Sequence, residues 1–302
     1  MTTSGPEQSG HSILRFIVSL VFVTFVCCIT SQGAQPVSAY DASLLSIPPR
    51  AWAEDAAKNE IGTLHHPNSY LRYRMHLVDE KGDRVREVIE SREGSVARLI
   101  GRDGKPLTPS EDLAEQSRLR DMLNSPATFA RHIRNDDSGK KLADSMIRLL
   151  PTAMIYTYVP GQPQSGLSHG AKEVVMDYAP DPSFHPPSTT AEALTGLRGR
   201  IWIDAASRNV VRMEGEIFKP VNFGWGFLAH VYPGGKLVLE QAPVSNTRWI
   251  YTRFSEQVRI RAVLIKPITA SSSIETSGFQ VVPPLSYQDA IHLLLSAPAT
   301  GR

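Results

Sequence analysis

The chain has 302 residues, 41% hydrophobic and 21% charged, with 32 Lys+Arg against 30 Asp+Glu for a formal net charge of +2. That apolar share is enough to bury a sizeable core and excludes wholesale disorder. The near balance of charge, with no block of like charges, excludes the concentrated basic face that nucleic acid requires.

Residues 16–30 (FIVSLVFVTFVCCIT) form an apolar run that follows Arg15 and leads into small residues. This layout predicts a secretory signal peptide over 1–39. The run falls short of the roughly 20 apolar residues that cross a bilayer core, so membrane anchoring by an uncleaved N-terminal segment is the alternative. Small-x-small cleavage points stand after Gly33 and after Ala39. Cys27 and Cys28, the 2 cysteines of the chain, lie inside the run. The mature protein is therefore expected to be periplasmic, to hold no disulfide and to rely on its core for stability.

Pro48 and Pro49 close a leader with no predicted structure, and 51–61 (AWAEDAAKNEI) reads as an Ala-rich helix that packs Trp52 onto the body. Leu71, Tyr73, Met75 and Leu77 alternate with Arg72, Arg74 and His76, the two-residue period of a strand with one buried face. A turn over 79–83, with Gly82 supplying positive φ, and strands over 84–91 and 95–101 complete a three-strand meander. The period then changes. Thr108, Pro109 and Glu111 make a capping box that opens a helix with Leu113, Leu119, Met122 and Leu123 on its apolar side. A second helix starts at Ser125-Pro126, and a third, over about 140–150, buries Leu142, Met146, Leu149 and Leu150 before Pro151 stops it. Residues 109–150 are thus a helical insert carrying as many basic as acidic residues, the composition of a solvated helix surface.

Strands resume over 153–159 and 172–178, and the proline-rich stretch 181–190 is a loop. A short helix over 191–197 precedes strands at 200–204, 210–218, 236–240, 248–254, 258–265 and 272–280, and Ser286 caps a last helix over 287–296. Along 210–218, Val211, Met213, Gly215 and Ile217 alternate with Arg212, Glu214 and Glu216. Short strands in such succession predict a closed or strongly curved antiparallel sheet. Everything after the signal, 40–302, reads as a single domain.

Chemistry-bearing patterns are not found. Two histidines hold a metal well at i, i+4 on a helix, or on one face of neighbouring strands; His65 and His66 are adjacent, and His76 stands on the polar side of a strand. No Gly-x-Ser-x-Gly elbow occurs, and Gly224-Trp225-Gly226 lacks the rest of a dinucleotide fingerprint. Asp204 opens Asp-Ala-Ala-Ser-Arg-Asn, where its carboxylate is expected to cap backbone N–H groups of a turn. No catalytic residue, no metal ligand and no cofactor is expected. The apolar side chains Leu71, Tyr73, Met75, Ile201, Ile203, Val211, Met213, Trp249 and Tyr251 either fill a solid core or line a cavity for acyl chains, and residue type does not decide between them.

The signal peptide, N-terminal helix, meander and helical insert come first. Then Gly-Arg-Ile-Trp-Ile-Asp (199–204) is followed by Arg208-Asn209-Val210-Val211-Arg212-Met213-Glu214. This order resembles the LolA/LolB-type lipoprotein carriers, the match being best over 197–266. The resemblance implies an α+β, mainly antiparallel β fold: an unclosed half β-barrel with a helical lid. Residues 109–150 would form that lid, with Leu119, Met122, Leu142 and Met146 facing the nine apolar residues named above. It further implies a non-catalytic envelope protein, expected to be monomeric, that handles lipid or lipoprotein. Its partner would be an apolar ligand such as a lipid or acyl chain. An envelope interaction or sensor module of the same fold, contacting another protein with no internal ligand, is the alternative; a hydrolase assembled from separated strands is a third reading.

Overall fold

The computed structural model describes residues 39–65, 69–166, 171–223, 229–245, 248–262 and 267–296. Of the signal peptide expected over 1–39, only Ala39 falls among them. In chain order the elements are α1 (Ala39–Leu45), α2 (Pro49–His65), β1 (Tyr70–Asp79), β2 (Gly82–Ser91), β3 (Gly94–Arg102), β4 (Lys105–Pro106), α3 (Pro109–Asn124) and α4 (Pro126–Ala153). Next come β5 (Met154–Tyr158), β6 (Gln164–Ser165), β7 (Lys172–Pro180), a 3₁₀ turn (Thr190–Gly196), β8 (Leu197–Asp204) and β9 (Val210–Ile217). The last described elements are β10 (Val221–Phe223), β11 (Ala229–Val231), β12 (Lys236–Ser245), β13 (Arg248–Ala262), β14 (Ile268–Val282) and α5 (Tyr287–Ser296). The class is α+β, with a large antiparallel sheet that is not closed. Its strands are hydrogen bonded in the order β4-β3-β2-β1-β14-β13-β12-β9-β8-β7-β5.

Two compact units divide the chain. One comprises the described parts of Met1–Asn59, Leu149–Gln241 and Phe254–Ser272, the other those of Glu60–Arg148, Ala242–Arg253 and Ser273–Arg302. In the first unit, β7, β8 and β9 pair antiparallel, setting Met176 opposite Ile201 and Ile201 opposite Met213. Trp52 of α2 is fully buried, donating from Nε1 to the Tyr158 hydroxyl at 2.9 Å. The Asp204 carboxylate accepts from the backbone N–H groups of Ala206 and Ser207 at 3.2 and 2.6 Å, as the turn chemistry predicts. Asn59 anchors the same turn by donating to the Ser207 carbonyl at 2.9 Å.

In the second unit, β1, β2 and β3 form the expected meander. Gly82, at φ +99, follows the turn in which Lys81 N–H donates to the Asp79 carboxylate at 2.8 Å. The capping box of α3 is complete: Thr108 Oγ1 accepts from Glu111 N–H, and Glu111 Oε2 accepts from Thr108 N–H. Ile89 and Val96 of the meander pack with Leu119, Met122, Phe129, Ala290, Ile291 and Leu294 into a buried cluster. The Phe129 and Tyr287 rings stack at its edge, 3.6 Å between centroids.

Three expectations are corrected, and four short strands are added. The leader before Pro48 contains α1, closed by Ser46 N–H donating to the Ala42 carbonyl at 3.1 Å. The second and third helices of the insert are one helix, α4, of 28 residues, which continues through Pro151 to Ala153 instead of stopping before it. Its polar middle makes contacts within the helix, with Ser138 Oγ donating to the Arg134 carbonyl at 2.7 Å and a Lys140–Asp136 ion pair at 2.8 Å. The strands expected at 248–254 and 258–265 are the single strand β13. Glu256 interrupts the apolar pattern there, yet it is buried and accepts from Ser272 Oγ at 2.8 Å. Finally, β4, β6, β10 and β11, of two or three residues each, are too short for any periodicity to show.

Candidate functional site

The nine residues expected to meet a ligand divide between the two units. Ile201, Ile203, Val211 and Met213 belong to the first. Strand register aligns Met176, Ile201, Met213 and Leu239 in one row across β7, β8, β9 and β12. Met176 and Ile201 are buried and Met213 and Leu239 half-buried, so cover thins along the row. Ile203 and Val211 are buried.

Leu71, Tyr73, Met75, Trp249 and Tyr251 belong to the second unit. Side chains alternate along a strand and directly opposed residues share a face. Tyr73, Met75 and Leu77 of β1 therefore share a face with their β2 partners Val88, Arg86 and Arg84, and Leu71, two residues before Tyr73, lies on that face too. On β3 the same face carries Leu99, opposite Arg86, and Ala97, opposite Val88. On β14, Ile274 stands opposite Leu77, and a register shift between Arg72 and Arg74 accompanies a tilted contact of Tyr73 with Phe279, centroids 5.7 Å apart. Leu71 is fully buried, but Tyr73, Met75, Leu77, Ile274 and Phe279 are only half-buried. Trp249 is buried; Tyr251 is 37% exposed, with its hydroxyl donating to Glu60 at 2.7 Å.

The helices cover the reverse side of β2 and β3. Ile89 and Val96 point away from Tyr73 and Met75, and Leu119 and Met122 pack with them. These two residues of the expected lid thus meet the opposite face of the meander from the β1 row. Leu142 and Met146 are half-buried on α4. Helix side chains also occupy the outer edge of β3, which pairs with β4 only at Gly101 and Arg102. Glu115 accepts from Leu99 N–H at 2.7 Å, Arg118 donates to the Ala97 carbonyl at 2.6 Å, and His132 Nε2 lies 2.8 Å from the Ser95 carbonyl.

The apolar β1 row has a charged group at each end. At one, Arg248 forms a bidentate pair with Glu90 at 2.7 and 2.9 Å, both residues buried. Glu90 also accepts from Leu71 N–H at 2.9 Å, and Arg248 donates to the Ser69 carbonyl. Burial, then the Glu90 charge, pushes the Tyr73 hydroxyl well above its ordinary range. At the other end stand Arg84, paired with Asp79, and Arg86. Burial and the neighbouring Arg84 and Arg118 guanidiniums lower the Arg86 pKa.

Phe279, Leu99 and Arg86 were not singled out from sequence. Only strand register reveals them, because Arg-Val-Arg-Glu-Val-Ile-Glu-Ser over 84–91 has no clean alternation. Among the described residues, no group of three or more His, Cys, Asp or Glu is placed to hold a metal ion. No described helix is long and apolar enough to cross a membrane. Comparison with protein-family models, with curated proteins and with solved structures finds no match.

Proposed function

We propose that this chain is an exported, non-catalytic binding protein of the LolA/LolB kind. It would hold a lipid, or the acyl chain of an acylated ligand, against an apolar face of its open sheet and serve lipid or lipoprotein handling at the cell envelope. One observation carries the reading. The helices of the second unit bury Ile89 and Val96 on one face of the meander, whereas Tyr73, Met75, Leu77 and Phe279 remain half-buried on the other. Aromatic and methionine side chains suit an adaptable apolar surface. Binding would be driven by withdrawal of apolar area from water, about 25 cal/mol per Å², and an acyl chain contributes about 0.8 kcal/mol per buried methylene.

Native mass spectrometry of protein purified from an envelope fraction tests the proposal, with co-purifying apolar molecules as the expected result. Protein that is consistently empty and also fails to take up a fluorescent fatty acid rejects it.

A further inference from the structure

Among the described residues, the arginine that faces the apolar row of β1 at Met75 has no ion-pair partner. Arg86 stands directly opposite Met75 on one side and Leu99 on the other. Its Nε is buried with no hydrogen-bond partner, and among the described residues no carboxylate pairs with it. The two acids whose charges reach it are engaged elsewhere. Asp79 is paired with Arg84, while Glu115 holds Arg118 at 2.7 Å and the Leu99 N–H at 2.7 Å. Arg84 and Arg118 add positive charge, and the lowered Arg86 pKa reflects its burial first and that crowding second.

A half-buried guanidinium with an unmatched donor is costly to keep. Its planar fork suits a carboxylate or phosphate oxygen, and such charge-assisted bonds are among the stronger hydrogen bonds. Met75 and Leu77 stand opposite Arg86 and Arg84, so a molecule bonded there would lay any attached chain toward Tyr73 and Phe279. We infer that the ligand is an anionic amphiphile, its carboxylate or phosphate head on Arg86 and its chain running from Met75 along Tyr73 toward Phe279. This rests on the apolar-ligand reading above and adds to it the charge of the head group.

The test is a titration of the full chain with a fluorescent fatty acid and with its methyl ester, which keeps the chain and removes the charge. The acid is expected to bind about tenfold more tightly than the ester. Arg86→Gln should abolish that preference by weakening the acid alone, and Arg86→Lys should retain most of it. Inorganic phosphate, which has the charge without the chain, should not displace the probe at millimolar concentration. Equal affinity of unaltered protein for acid and ester overturns the head-group assignment and leaves the apolar reading standing. So does an acid preference that persists in Arg86→Gln. Displacement by phosphate alone overturns the amphiphile in favour of a free oxyanion. Binding of neither acid nor ester overturns both readings, and the comparison on unaltered protein holds whether or not a variant folds.

Discussion

The guanidinium carbon of Arg208 stands over the indole of Trp52, 3.5 Å from the ring centroid. Arg208 has φ +62, a conformation the Asp204 turn imposes, and that backbone aims its side chain at α2. Trp52 is thus held by a cation on its face, a hydrogen bond from its edge and complete burial. Trp52→Phe keeps most of the apolar volume but removes the bond to Tyr158. It should cost about 1–3 kcal/mol, read as a lower urea midpoint at unchanged slope. Arg208→Ala should cost about 1 kcal/mol. The two effects should be less than additive if the stack is what Arg208 contributes.

Tyr178 donates to the Glu214 carbonyl at 2.7 Å, its hydroxyl lying where β8 presents Gly199 in place of a side chain. A Cβ on Gly199 would overlap the Glu214 carbonyl oxygen and stand 2.7 Å from the Tyr178 hydroxyl. Gly199→Ala is therefore expected to cost about 3 kcal/mol or more through displacement of β9 backbone. Tyr178→Phe, losing one hydrogen bond, should cost about 1 kcal/mol. Equal stability of Gly199→Ala and the unaltered protein in a thermal melt would contradict that packing.

Features closed within a few residues could be read from the chain. The Thr108–Glu111 capping box, the Asp204 turn, the β1 alternation and the burial of Trp52 all depend on near neighbours or on a single side chain's size. What could not be read was which face of the meander each helix would cover. Leu119 and Met122 advertise an apolar helix stripe, but nothing local says that it meets Ile89 and Val96 instead of Tyr73 and Met75. Arg86 escaped notice for the same reason. Val88 and Ile89 are adjacent and both buried, one on each face, so hydrophobicity does not tell which side of β2 Arg86 occupies until Met75 is set opposite it.

The outer edge of β3 would be a template for another strand if its polar groups were left open. Glu115, Arg118 and His132 fill that position with helix side chains. The double change Glu115→Ala with Arg118→Ala should free the Leu99 N–H and Ala97 carbonyl while sparing the buried Leu119 and Met122. The expected outcome is concentration-dependent self-association beyond that of unaltered protein, seen as faster-sedimenting species. A sedimentation profile identical to the unaltered protein's, with the fold intact by circular dichroism, would remove the edge-guarding role from these side chains.

Arg98 is 2% exposed and ties two helix ends to β3, donating to the Leu294 carbonyl of α5 at 2.5 Å and to Asp112 of α3 at 2.8 Å. The hydrogen bond from Arg98 holds the Asp112 carboxyl below its ordinary range. A carboxylate with a depressed folded-state pKa contributes stability that is present above its unfolded value, about 3.9 for Asp. That contribution is lost as pH falls through the folded-state value. Asp112→Asn removes the charge facing Arg98 and should cost about 2–3 kcal/mol at neutral pH, less than for a fully buried pair because Asp112 is 19% exposed. Unaltered protein should therefore lose stability more steeply than Asp112→Asn as pH drops below about 4, and the two denaturation midpoints should converge. Parallel curves would mean that the ionisation of Asp112 adds no stability to the folded chain.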